Sequence, residues 1–157
     1  MTHEFPVLER CESVLVAADE LLYRQITRHK WNEVEKVPAS AAFGPVDADG
    51  GKPSFARSSA AGVTEQTSRD WHQQNARTPS LGVWAVTSAE VHEADLRSVD
   101  DSQCPLPPEG KRAPGHCYVD YRELTPRQVR DARAELLLRA IARKLLPTND
   151  CIAGQDV

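Results

Sequence analysis

The chain has 157 residues and a mass of 17.4 kDa, and 40% of its residues are apolar, 27% charged and 6% aromatic. These values are typical of one globular domain and exclude a collagen-like or wholly disordered chain. The formal net charge of −4 argues against binding of nucleic acid or acidic membranes through bulk charge. We therefore expect one domain, residues 1–157, around a hydrophobic core.

The first third of the chain shows both helical and strand patterns. Apolar residues at helical spacing predict a helix over 7–20. Residues 21–26 alternate between two faces and are of types that suit a strand. Glycine, proline and aspartate at 44–53 predict a hairpin-like loop, whose flanks, 39–43 and 54–57, are the short strands that it joins.

The middle of the chain holds its most apolar segment. Residues 60–75 lack proline and have a rough helical period, which predicts a helix. The run 81–87 is apolar and β-prone, as in a buried central strand, and Ser88 follows as the start of a short helix. Prolines and aspartates at 98–115 predict a long surface loop, and 116–121 alternates like a further strand.

The end of the chain carries the strongest local signal. Thr125, Pro126 and Gln128 form a capping box with proline at the first helical position. Apolar residues then follow at helical spacing, which predicts an amphipathic helix over 126–146. The polar tail, 148–157, is expected to fray.

These elements indicate an α+β fold, with a small mixed sheet of about five short strands and helices packed on it. The residues expected to be largely buried are Leu22, Val83, Trp84, Val86, Val119, Leu136, Leu137 and Ile141.

The cysteine spacing predicts reduced thiols. None of the four cysteines, Cys11, Cys104, Cys117 and Cys151, forms a C-x-x-C pair. The sequence has no run of 18 apolar residues for a membrane span, and its start lacks the basic and apolar regions of a signal peptide. We therefore expect a cytoplasmic protein without a membrane partner. Its richness in arginine and alanine is typical of a GC-rich bacterial coding sequence.

Familiar chemical motifs do not account for the polar residues. His92, Cys104, His116 and Cys117 are of types that bind zinc, but adjacent strand residues such as His116 and Cys117 point to opposite faces, so we expect no metal site. The motifs G-x-S-x-G, H-E-x-x-H and G-x-x-x-x-G-K-[ST] do not occur. The cations of the closing helix scatter around its polar face, and no nucleic-acid footprint is expected.

One set of residues carries a family resemblance. Leu22-Tyr23-Arg24, then Phe55-Ala56-Arg57-Ser58-Ser59, then Glu65, resembles the order of Arg, Ser and Glu in RES-domain toxins, small bacterial proteins related to ADP-ribosyltransferases that consume NAD. The resemblance implies that Arg24 holds the pyrophosphate, Ser58 fixes the ribose, and Glu65 stabilises the oxocarbenium-like centre. All three side chains must then converge on one cleft.

A second resemblance covers most of the chain. The segments Pro38-Ala39-Ser40-Ala41-Ala42-Phe43, Leu81-Gly82-Val83-Trp84-Ala85-Val86-Thr87 and Ala113-Pro114-Gly115-His116-Cys117-Tyr118-Val119 are similar to a pattern of small uncharacterised bacterial proteins. That pattern has a P-S-S-x-A-F element and a later P-x-H strand. It implies a compact α+β fold and no particular activity.

Two functions follow from the sequence. The first is an accessory or interaction protein without a cofactor that acts through a protein partner, with Asp100, Asp101 and Cys104 of the proline-rich loop as the contact. The alternative is an NAD-consuming enzyme of the ADP-ribosyltransferase type, with NAD as its substrate and Arg24, Ser58 and Glu65 as its catalytic residues.

Overall fold

A computed structural model describes residues 3–106 and 108–143, and in these ranges the chain forms a six-stranded antiparallel sheet with three α-helices. The strands are β1 (Ser13–Val14), β2 (Leu21–Thr27), β3 (Trp31–Asn32), β4 (Val37–Pro38), β5 (Ser54–Arg57), β6 (Ser80–Thr87), β7 (Arg97–Asp100) and β8 (His116–Asp120). The helices are α1 (Glu65–Asn75), α2 (Ser88–Glu93) and α3 (Pro126–Ala142). The sheet order is β1-β7-β8-β5-β2-β6, while β3 and β4 pair separately.

Threonine side chains begin all three helices. Thr64, Thr87 and Thr125 each accept a hydrogen bond from the backbone N–H three residues later. Each of these bonds satisfies an N–H that has no partner within its own helix. The predicted capping box at Thr125 is therefore confirmed, and the same device also begins α1 and α2.

The sheet separates two apolar layers. On one face, Leu22 and Trp84 pack with Leu136 of α3 in the larger core cluster. On the other face, Tyr23 and Val83 belong to a smaller cluster. Adjacent residues of one strand thus divide between the layers, as the period of two in a strand requires.

The predicted α+β class is confirmed. The strands predicted at 21–26, 54–57, 81–87 and 116–121 are present within one residue of those bounds, and the helix predicted over 60–75 begins at Glu65. The sheet was predicted to be mixed and to have about five strands, whereas it has six strands and all its pairings are antiparallel. The closing helix begins at Pro126 and ends at Ala142, while the predicted frayed tail, 148–157, lies outside the described residues.

The helix predicted over 7–20 is wrong. This segment is extended and turn-like, and its only regular element is β1, which pairs with β7 through Ser13 and Val14. Long-range bonds hold it in this form, because Cys11 is joined to another segment and the N–H of Leu15 donates to the main-chain oxygen of Ser98. Such tertiary contacts override a helical spacing that covers fewer than four turns.

The strand predicted at 39–43 is also wrong, since these residues form turns. Ala42 and Phe43 are fully buried, as a strand interior would be. Their carbonyls, however, accept hydrogen bonds from the side chains of Arg24 and Tyr121 instead of from a neighbouring strand. Side-chain donors therefore satisfy the buried backbone here.

Two predictions about burial and loops need correction. The long loop begins after Asp100, because residues 98–100 belong to β7 and pair with β8. Ile141 is 38% exposed and Leu137 only half-buried, since the core-facing side of α3 consists of Ala132, Leu136 and Ala140. The other six residues predicted to be buried are buried.

The prediction that all cysteines are reduced is wrong. Cys11 and Cys104 form a disulfide, Cys117 is free and buried, and Cys151 lies outside the described residues. Disulfides are rare in cytosolic proteins, so this bond weighs against the predicted cytoplasmic location. None of the helices in residues 3–106 and 108–143 combines the length and apolar character that a bilayer crossing requires.

Candidate functional site

A cleft opens where β2 and β5 separate. The two strands are paired only at Leu22 with Arg57 and at Tyr23 with Ala56, whereas β2 remains paired with β6 as far as Thr27. The gap leads into a cavity of about 320 Å³. Its walls come from β2, β5, the first residue of β8, the face of α1 that carries Trp71 and His72, and the loop after β7.

Ser54, His116 and Asp101 form a hydrogen-bonded chain at this cleft. The Oγ atom of Ser54 lies 3.0 Å from Nε2 of His116, and Nδ1 of His116 lies 2.6 Å from Oδ1 of Asp101. Ser54 is exposed, while the side chains of His116 and Asp101 are 19% and 18% exposed. With Nδ1 protonated, His116 donates to Asp101 and accepts from Ser54, as a nucleophile, base and orienting carboxylate require.

The sheet register places Ser54 and His116 together. Ala56 is directly opposite His116, and Ser54 is directly opposite Tyr118. Ser54 therefore lies two residues from the partner of His116, on the same face of the sheet. This diagonal relation brings long side chains of neighbouring strands within reach of each other.

A tight turn after β7 positions Asp101. The backbone N–H of Cys104 donates to the main-chain oxygen of Asp101, and the N–H of Ser102 donates to the carboxylate of Asp100. Burial raises the pKa of Asp100, but hydrogen bonds from Ser102 and the charge of Arg57 outweigh it and lower that pKa overall. The Cys11–Cys104 disulfide ties the same turn to the N-terminal segment.

Arg24 places a buried charge in the gap between the strands. Its side chain donates from Nε to the main-chain oxygen of Ala42 (2.9 Å) and from Nη1 to that of Ser54 (2.8 Å). The guanidinium lies 5.3 Å from the ring centre of Phe55. Burial lowers the pKa of Arg24, since an apolar environment disfavours the charged form.

Two further basic side chains of the cleft have lowered pKa values. Burial first, and then repulsion from Arg24, lowers the pKa of Lys30 to about 8, against an opposing attraction from Asp49. Burial also lowers the pKa of His72, although a hydrogen bond to the main-chain oxygen of Thr78 raises it. The cleft therefore holds basic groups whose charges are incompletely neutralised.

The residues of the predicted NAD site do not converge. Ser58 accepts a hydrogen bond from the N–H of Leu21, while Glu65 lies near enough to Tyr23 that burial first, and then the charge of Glu65, raises the pKa of Tyr23. Arg24 follows Tyr23 in β2 and packs with the opposite core layer. Arg24 lines the cleft whereas Ser58 and Glu65 do not, so the structure does not bring the three residues together in this cavity.

The three residues of the predicted partner contact all make internal bonds. Asp100 pairs with Arg57 at 2.7 Å, Asp101 binds His116, and Cys104 is in the disulfide. These bonds stabilise the turn after β7. Docking of a protein partner on this surface stays a prediction.

Among the described residues, no group of three His, Cys, Asp or Glu side chains has the arrangement of a metal site. Comparisons with protein-family models, curated proteins and solved structures find no match to this chain. Any functional conclusion therefore depends on the geometry of the cleft.

The Ser54–His116–Asp101 chain was missed by sequence reasoning. His116 is 62 residues from Ser54 and 15 from Asp101, so no short motif joins them. The one available signal was the position of Asp101 and His116 at the two ends of the predicted proline-rich loop, which makes them neighbours if that loop closes on itself.

Proposed function

We propose that this protein is a hydrolase or acyltransferase that uses Ser54 as its nucleophile, His116 as its general base and Asp101 as the positioning residue. The observation that carries the proposal is the chain of two hydrogen bonds, 3.0 Å and 2.6 Å, which ends on an exposed serine in a cleft. Nucleophile, base and orienting carboxylate are recognised by geometry and not by sequence position.

The arrangement supports a two-step reaction on an ester. Ser54 Oγ attacks the carbonyl carbon, forming a C–O bond while its proton passes to His116 Nε2. The imidazolium then protonates the departing alkoxide as the original ester bond breaks, leaving an acyl group on Ser54. Water or another hydroxyl compound, deprotonated by His116, then forms a bond to the acyl carbon. The bond from that carbon to Ser54 Oγ breaks, the imidazolium returns its proton to Oγ, and a carboxylic acid or a new ester is released.

A fluorophosphonate probe tests the nucleophile directly. Ser54 Oγ forms a bond to phosphorus, fluoride leaves, and the serine proton passes to His116. We expect intact-protein mass spectrometry to show one adduct and peptide mapping to place it on Ser54. General-base assistance is worth about 10²–10⁴ in rate, so His116→Ala should slow labelling by a factor in that range.

Variants provide the controls. Ser54→Ala should abolish the adduct, whereas Ser40→Ala, which changes an exposed serine outside the cleft, should label like the wild type. Circular dichroism establishes that each variant is folded. Labelling of folded protein at another residue, or at Ser54 at the same rate without His116, would contradict the proposed function.

A further inference from the structure

The buried charge of Arg24 is not paired with a carboxylate. The residue is 6% exposed, and the ion pairs found in residues 3–106 and 108–143 do not include it. Its Nη2 atom is buried and has no hydrogen-bond partner in that part of the chain. Two carbonyls and the face of Phe55 offset only part of the cost of burying a cation.

Other cleft residues add to this positive charge. Lys30 and Lys111 line the same cavity, and Asp49 is the one carboxylate among the described residues that line it. Asp49 attracts both Arg24 and Lys30, but neither pair is close enough to be a salt bridge. Three cations against one carboxylate leave the cleft positive in a chain whose net charge is −4.

We propose that Arg24 and Lys30 form a subsite for an anionic group, a carboxylate or a phosphate, that belongs to the substrate. This inference deepens the proposed function and rests on it. The anionic group is assigned to the substrate because Arg24 donates to the main-chain oxygen of Ser54, the proposed nucleophile. An anion there gives the unused Nη2 donor an acceptor and neutralises two cations that repel each other. Charge-assisted hydrogen bonds of this kind are about twice as strong as neutral ones.

Binding is tested without catalysis. We use the Ser54→Ala variant, which forms no acyl-enzyme, and titrate it with inorganic sulfate and phosphate while recording NMR shifts of the residues lining the cleft. Saturable shifts are expected, and adding Lys30→Gln should weaken binding about tenfold. Arg24 is not substituted in this experiment, because its hydrogen bonds join β5 to the 39–43 turn and their loss would disturb the fold.

Two matched variants complete the binding experiment. Asp49→Asn removes the opposing carboxylate but keeps an oxygen that can accept from the N–H of Val46, so it should strengthen binding. Lys36→Gln changes an exposed lysine that pairs with Glu33 and does not line the cleft, so binding should not change. Absence of saturable shifts, or equal binding with and without Lys30, overturns the subsite.

A set of aryl esters separates this proposal from the proposed function. We expect esters whose acyl chain carries a carboxylate or a phosphate to have kcat/KM about tenfold above a neutral ester of equal length. Lys30→Gln should remove that preference, and the better of the two anionic esters identifies the group. Equal rates for neutral and anionic esters would overturn the substrate subsite but would still support the proposed hydrolase activity. If sulfate binds but none of the esters is hydrolysed, the anion site is supported and hydrolysis of these esters is rejected.

Discussion

His116 and Cys117 are neighbours in the chain but have opposite environments. His116 lines the cleft, whereas Cys117 is fully buried in the larger core cluster. Burial raises the pKa of the Cys117 thiol, so this cysteine stays protonated and is not a nucleophile. Because side chains alternate between the two faces of a strand, only His116 of this pair faces the cleft and can take part in its chemistry.

The role of Asp101 is testable by spectroscopy. Asp101→Asn keeps the size of the side chain but removes the charge that holds His116 with Nδ1 protonated. We expect a fall of about 10²–10⁴ in the rate of Ser54 labelling and the loss of the downfield proton resonance of the His116 Nδ1–H. A purely structural Asp101 predicts that the resonance changes while the labelling rate stays within about twofold.

Anion binding should depend on pH through Lys30. Its pKa of about 8 in the free protein means that it is charged below that value and neutral above it. Sulfate keeps its charge over this range, so its affinity should fall as the pH rises through about 8 and Lys30 loses its proton. Arg24, His72, Lys111, His116 and Asp49 line the same cleft, so the contribution of Lys30 is isolated by comparing the wild type with Lys30→Gln.

Two measurements check this dependence. The affinity for sulfate is recorded from about pH 6.5 to about pH 9.5 in the wild type and in Lys30→Gln, and only the wild type should show the fall. A flat profile in the wild type contradicts the assignment of Lys30 to the subsite.

At the scale of the residue, the sequence predicted the position and contacts of a side chain only where residues close to it in the chain determine them. The Thr125 cap and the opposite directions of His116 and Cys117 depend on residues that are close in the chain. The Ser54–His116 contact depends on the register of β5 against β8, which no nearby residue determines. The position of Arg24 in the lining of the cleft, and of Glu65 outside it, depends in the same way on residues far apart in the sequence.

At the scale of the element, strands and helices were predicted best where they are apolar and bounded by turn residues. The strand β6 and the helix α3 are examples. The prediction was wrong for 7–20 and 39–43, where a disulfide and side-chain donors determine the backbone. In both segments the decisive partner lies far away in the sequence.

The helix α3 offers a matched test of its packing face. Leu136 is completely buried, whereas Leu138 is 67% exposed on the same helix. Leu136→Ala removes core contacts and leaves a cavity, so we expect a loss of about 2–5 kcal/mol in the free energy of unfolding. Leu138→Ala should change it by less than about 0.5 kcal/mol, as measured by urea denaturation. Equal losses would show that the two residues are packed alike.

At the scale of the whole molecule, one covalent bond joins the N-terminal segment to the loop beside the cleft. The Cys11–Cys104 disulfide holds β1 near the turn that carries Asp101. Its loss should therefore affect both stability and the site. Replacing both cysteines by serine is expected to lower the free energy of unfolding by about 2–5 kcal/mol.

The same double variant should label more slowly at Ser54, because the turn that positions Asp101 is less restrained. Alkylation is mapped to Cys117 separately from Cys151, since burial of Cys117 should keep it unreactive toward alkylating reagents in the folded protein. Unchanged stability in the double variant contradicts a structural role for the disulfide.

The disulfide also makes part of the chain a closed ring. Its two cysteines are 93 residues apart, so Ser54 and Asp101 lie inside the ring and His116 lies in the branch that leaves it. A protease cut between residues 54 and 101 therefore yields two peptides, one with Ser54 and one with His116, that remain joined through sulfur. Under non-reducing electrophoresis the nicked protein should keep its full mass of 17.4 kDa, and adding a dithiol should separate the nucleophile from its base.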